Sequence, residues 1–174
     1  MPRQVNAPAI ALVKHFESLF LEAYKCPAGV WTIGYGHTGL VHQDGTVFPG
    51  RKITAAEAEE LLKHDMTVFS AGVENLLLKR PLKELTDNQF GALVSFGFNL
   101  GLGNLGKSTL LARINARRYA DAPGEFLKWT RADGRVLRGL VRRRQSEANL
   151  WALQPGAETT RAMLWKLPSF IVRP

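Results

Sequence analysis

The sequence has a single cysteine, Cys26, in 174 residues. One thiol excludes an internal disulfide and a cysteine-rich zinc site. The four histidines show no HExxH spacing and there is no CxxC pair, so nothing here implies a metal or any other cofactor. Long apolar runs are also missing. The first 15 residues carry Arg3 and Lys14 around the short run 10–13, too brief for a signal-peptide core and far too brief for a membrane span. A soluble chain made in the cytoplasm is the expectation. Internal repeats, low-complexity tracts and zinc-finger or RNP patterns are absent. Acidic residues are the scarce charge: 15 Asp plus Glu face 23 Lys plus Arg, a formal net charge of +8. Such a field attracts polyanions, whether nucleic acid, anionic lipid or an anionic wall polymer, and without a nucleic-acid motif no specific nucleic-acid partner is expected.

What is present suffices for one compact domain, since 45% of the residues are hydrophobic. Asn6 followed by Pro8 reads as an N-cap and first-turn proline. Ile10, Val13, Phe16 and Phe20 then recur at helical spacing, predicting a first helix to about Phe20 with Glu17 in its last turns. Residues 22–50 are rich in glycine, alternate around Thr32-Ile33-Gly34-Tyr35-Gly36 and contain the turn signal Asp44-Gly45, which predicts a small twisted antiparallel sheet as the only β region. Thr54 and Glu57 form a capping box that opens a long helix over 53–78, and Thr86 with Gln89 forms a second, leading into the apolar Phe90, Leu93, Val94 and Phe98. Gly101, Gly103 and Gly106 are expected to end that buried helix. Further helices are expected over 108–118, 122–129 and 140–153, the last set off by an Asp133-Gly134 turn. The layout is α+β, predominantly helical. Beyond Pro155-Gly156, the segment 157–174 mixes Arg161, Lys166 and Arg173 with Trp165, Phe170 and Ile171. It reads either as a tail packed on the core or as a contact for anionic membrane.

One constellation carries chemistry. Hydrolysis of a glycosidic bond needs an acid to protonate the leaving oxygen and, across from it, a group that activates or positions water. Glu17 sits among Phe16, Leu19 and Phe20, where desolvation would favour the neutral acid. Taken singly, Glu17 is equally a solvated helix residue, Cys26 a small buried hydrophobe and Thr32 a strand former.

The pattern around them is more specific. Glu17, Cys26 and Thr32, followed by Ile33-Gly34-Tyr35-Gly36-His37, resemble the active-site signature of the phage-type lysozymes, glycoside hydrolase family 24, whose triad reads Glu, Asp or Cys, and Thr at this spacing. Residues 88–101, NQFGALVSFGFNLG, resemble that family's buried helix, and 126–151, FLKWTRADGRVLRGLVRRRQSEANLW, is similar to its segment ending in GLxxRR. The likeness spans 6–151 and rests on three motifs in order.

That resemblance implies a lysozyme-like catalytic domain over 1–156: a small β-containing N-terminal lobe at about 21–52, a larger helical C-terminal lobe at about 76–153 together with the first helix, and the long helix joining them. It implies an endolysin, a muramidase that cleaves the β-1,4 bond between N-acetylmuramic acid and N-acetylglucosamine in bacterial peptidoglycan. Glu17 would be the proton donor, Cys26 would occupy the site most often held by aspartate, and Thr32 would help hold the attacking water. An ordinary thiol, with a pKa of about 8.5, is only a few per cent ionised at pH 7. Three roles for Cys26 therefore stay open: a thiolate stabilising the transition state, a covalent nucleophile, or a water-positioning group, the last favoured together with inversion. The resemblance also has Arg143, from the run Arg142 to Arg144, approach Glu17, and pairs His37 with Asp65 as a structural ion pair. A monomer is implied, released through a holin-type membrane partner to act in the periplasm. Two other readings remain: a lytic transglycosylase, which would leave Cys26 and Thr32 without a water to handle, and a catalytically silent wall-binding module, which the missing aspartate keeps open. A basic nucleic-acid-binding protein is the third and weakest.

Overall fold

Helix α1 (Ala7–Phe16) begins where Asn6 Oδ1 accepts the Ala9 N–H at 3.3 Å and Pro8 enters the first turn. In this computed structural model, which describes residues 2–26, 28–39 and 47–153, the helix stops short of Phe20. Glu17 is its extended C-cap, and Phe20 already opens β1 (Phe20–Lys25). The misleading residue is Phe20, whose ring stacks on Tyr24 with centroids 4.2 Å apart. A spacing of four puts two side chains on one face of a strand as well as of a helix.

Strand β2 (Trp31–Gly34) returns antiparallel to β1, pairing Tyr24 with Thr32 and Lys25 with Trp31. Gly36, at φ +92°, lets the chain turn tightly enough for Ile33 and His37 to form a bridge. The expected Asp44-Gly45 turn and the 157–174 tail lie outside the described residues.

Both capping boxes form, and they open α2 (Ala55–Leu76) and α4 (Asp87–Leu100). A short α3 (Lys79–Glu84), absent from the sequence reading, lies between them. Gly101, at φ +85°, ends α4 and in the same step starts α5 (Leu102–Lys107), so Gly103 and Gly106 lie inside a helix rather than ending one. The predicted 108–118 helix is α6 (Thr109–Asn115), followed by the left-handed Arg117, and the next is α7 (Ala122–Phe126). Asp133 and Gly134 both adopt positive φ, the geometry of a two-residue hairpin turn, and join β3 (Arg131–Ala132) to β4 (Arg135–Val136). This is a second β region, where only one was expected. Helix α8 (Arg138–Ala152) closes the described chain.

Helix α4 is the centre of the packing. Phe90, Leu93, Val94 and Phe96 are at most 1% exposed and share one core with Leu12 and Val13 of α1, Phe126 of α7 and Leu150 of α8. A helix apolar all round needs neighbours all round. Among the described residues, no helix is long and apolar enough to cross a membrane.

At the α1–α4 crossing the backbones meet at Gly91, where an added Cβ would lie 2.6 Å from Ala9 Cβ. Gly91→Ala therefore loses about 1–3 kcal/mol to overpacking despite the better helix propensity of alanine, and urea unfolding should show a lower midpoint. A second prediction concerns acid. Glu84 accepts the Tyr119 hydroxyl at 2.6 Å, Arg117 Nε at 2.9 Å and Arg80 Nε at 3.0 Å. These donors, Tyr119 foremost, hold its carboxyl down from 4.5 to about 2. A depressed carboxyl stabilises the fold above its unfolded value, and that contribution fades as pH falls from about 4.5 to 2. Melting temperatures of Glu84→Gln should fall less steeply than those of the parent across that window.

Candidate active site

Because α1 ends at Phe16, the Glu17 side chain projects from the helix terminus toward α8. Arg143 Nη1 donates to Glu17 Oε1 at 2.6 Å, from a guanidinium only 4% exposed that lies 5.7 Å over the Phe16 ring. The other carboxylate oxygen faces the turn: a Cβ at Gly36 would sit 3.9 Å from Glu17 Oε2. The apolar enclosure expected from Leu19 and Phe20 does not form, since these are 40% and 41% exposed. Strand β1 turns them outward, and the neighbours of the carboxylate are a buried cation and a glycine turn. An open groove of about 410 Å³ runs beside it, bounded by His15, Asn99, Leu137 and Arg142 together with Glu17 and Arg143.

Cys26 and Thr32 meet on the β side. Cys26 ends β1 in a tight loop, its N–H donating to Val30 O at 2.9 Å while its carbonyl accepts from Gly29 N–H at 2.8 Å. The half-buried thiol is drawn below its usual value of 9.0 chiefly by the backbone N–H of Val30, with partial burial opposing and the Ala28 N–H and the Thr32 hydroxyl assisting. Thr32 is 4% exposed, and its Oγ1 donates to Val30 O at 3.1 Å. A hydroxyl has one proton, so Thr32 gives it either to that carbonyl or to the sulfur, never to both.

Tyr24 links the two halves and was missed by the sequence reading. Its hydroxyl is pushed up by burial first, then by the negative charges of Cys26 and Glu17, which places the phenol within the field of both. The signal existed: residues 24 and 26 share a strand face, and Tyr24 lies opposite Thr32 in register. His37 and Asp65 are also brought together, Nδ1 lying 2.9 and 3.1 Å from the two carboxylate oxygens, with both side chains nearly inaccessible. This contact ties the turn that carries Gly36 to α2. Among the described residues, no group of three or more His, Cys, Asp or Glu is placed to hold a metal.

A family model described as phage lysozyme matches residues 14–147. The chain is 42% identical to an endolysin of Bacillus phage B103 over 149 residues, 84% of this chain and 53% of that protein. It therefore spans about half the length of the Bacillus phage relatives it matches. An endolysin of Acyrthosiphon pisum secondary endosymbiont phage 1 is 38% identical over 84% of this chain and 97% of its own length. Among solved structures, the muramidase domain of SpmX from Asticaccaulis excentricus superposes with a TM-score of 0.76 at 37% identity, covering 87% of this chain and 100% of that domain.

The Cys26–Thr32 contact is testable by thiol alkylation rate against pH. Thr32→Val removes one donor and should move the apparent thiol pKa upward, while the remaining Val30 N–H keeps it below that of a free cysteine. An unchanged profile would mean that the hydroxyl gives its proton to Val30 O alone.

Proposed function

The chain belongs to the phage lysozyme family, and from that premise we propose that it is a peptidoglycan hydrolase, a muramidase cleaving the β-1,4 bond between N-acetylmuramic acid and N-acetylglucosamine. The observation that carries this reading is the placement of Glu17. One oxygen is fixed by Arg143, the other is turned to the glycine turn, and an open groove lies alongside. In this reading Glu17 gives its proton to the leaving glycosidic oxygen as the bond to the anomeric carbon breaks, and water adds to that carbon. While Thr32 donates to Val30 O, its oxygen keeps lone pairs free to accept a hydrogen bond from that water. Cys26 stands beside it.

The chemistry of Cys26 follows from its loop. A thiol stabilised as thiolate by backbone amides is ionised to a greater extent at neutral pH than an ordinary cysteine. The thiolate can take the proton that the attacking water releases, and the thiol can still orient that water. Water positioning with inversion needs no sulfur–carbon bond. A lytic transglycosylase needs no water at all, and the Cys26–Thr32 pair would then have no task. His37 and Asp65 brace the turn rather than act on substrate. The substrate lies in the periplasm, so release through a holin-type membrane lesion belongs to the same proposal.

Mass analysis of fragments from digested peptidoglycan tests the reaction. Reducing, hydrated muramic ends are expected, anhydro ends would indicate the transglycosylase, and no fragments would indicate a wall-binding module. Glu17→Gln should lower turnover at least about a hundredfold with the melting temperature retained.

A further inference from the structure

Beyond the Arg143 that holds Glu17, α8 places a second carboxylate in the protein interior. Glu147 is 0% exposed and follows Arg143 by one helical turn. Its Oε1 accepts the Ser95 hydroxyl from α4 at 2.8 Å, Arg144 Nη2 at 3.1 Å and Arg143 Nε at 3.4 Å, and its Oε2 lies 2.9 Å from Arg144 Nε. Arg144 is itself fully buried, 4.8 Å over the Phe96 ring, and donates to Asn99 Oδ1 at 2.9 Å. Removing such groups from water costs several kcal/mol per ion, and apolar side chains of similar volume would fill the same space without that cost. Packing alone does not call for a carboxylate here.

The geometry of Arg143 suggests what the carboxylate does. One guanidinium touches both acids, through Nη1 to Glu17 at 2.6 Å and through Nε to Glu147, while Nη2 reaches Ser95 O at 3.4 Å. Arg143 and Arg144 together bring two positive charges behind Glu17, and Glu147 cancels one. Without it, the full double charge would face an acid that must hold a proton until the leaving oxygen needs it. We propose that Glu147 is a positioning residue for the Glu17 proton, anchoring Arg143 from the interior and cancelling one guanidinium charge so that Glu17 faces a single net positive charge.

This rests on the reading of Glu17 as the general acid. The other groups facing Glu17 are Tyr24 and Cys26 from the β side, with His15 and the exposed Arg142 at the groove. Burial pushes the Glu147 carboxyl up, and the Arg144 and Arg143 guanidiniums oppose that push together with Ser95. Guanidiniums do not release their protons in proteins, so three donors, two of them charged, work against that push and favour the ionised form.

The test is the pH dependence of kcat/KM on purified peptidoglycan for the parent, Glu147→Gln, Ser95→Ala and Glu17→Gln. Glutamine keeps the shape of Glu147 and removes its charge, so the alkaline limb should move to lower pH by about one unit, and activity lost at pH 7 should return on acidification. Ser95→Ala leaves the carboxylate but removes a donor that favours its charge, and should shift the limb the same way by less. It decides the question if Glu147→Gln does not fold. Limbs that superimpose on the parent's, with or without lowered stability, would make Glu147 a purely structural residue and overturn the proposal. If Glu17→Gln stays active, the acid assignment falls and this inference with it. If Glu17→Gln is inactive while the limb does not move, this inference alone fails.

Discussion

The contact between Arg143 and Glu17 joins residues 126 positions apart, and both partners line the groove. Glu17 is at the end of α1 and Arg143 is in α8, and both helices reach each other by packing on α4. The few polar side chains of this apolar helix serve the same end. Asn88 Oδ1 accepts Asn6 Nδ2 at 2.7 Å, next to the N-cap of α1. Ser95 holds Glu147, and Asn99 holds Arg144. A buried ion network is weak evidence of stability, because desolvation offsets most of the Coulomb attraction. In this protein the network's clearest consequence is geometric: it fixes one guanidinium against one carboxylate.

The β side is built on less. Its own core is Ile33, Ile53 and Ala58, and the strands are short, so the placement of the turn depends on polar contacts with α2. His37 against Asp65 is the inaccessible one of these. The left-handed Gly36 allows the backbone to turn beside Glu17, where an added Cβ would only just touch Oε2 at 3.9 Å. Both the TIGYGH motif and its histidine therefore act on the site through backbone position.

Much of this was legible because it is local. Capping boxes at Thr54 and Thr86 announce their helices by residue type alone, and α2 and α4 begin where those boxes place them. The failures share a cause, in that a neighbour distant in sequence decided the outcome. Phe20 continues a helical spacing yet stacks on Tyr24, a choice made by strand pairing. Gly103 and Gly106 look like helix breakers but lie in α5, where a Cβ added at Gly106 would sit 3.3 Å from Leu76 Cδ2 of α2, so a larger residue needs some adjustment there. The Asp133-Gly134 turn was visible, whereas the two-residue strands flanking it are too short to leave a period. Glu17, Cys26 and Thr32 were singled out by their resemblance to a family signature. Tyr24 and Glu147 were not, because what marks them is the charge around them, and charge becomes visible only when α1, β1 and α8 are assembled.

In the proposed reading, a cysteine at position 26 rather than an aspartate changes more than the strength of a base. Aspartate at position 26 would carry a fixed negative charge across from the guanidinium side of Glu17. A thiol carries that charge only to the extent that the Val30 amide and the Thr32 hydroxyl stabilise it, so the β side contributes a negative field that varies with pH. On the α8 side the Arg143 and Arg144 guanidiniums remain charged. In the proposed reading Glu17 sits between a titratable thiol on one side and a cationic pair on the other. Glu147 is the second carboxyl group that touches Arg143, beside Glu17, among the described residues. A chain that gives up the fixed charge of aspartate at position 26 depends correspondingly more on the one buried in α8.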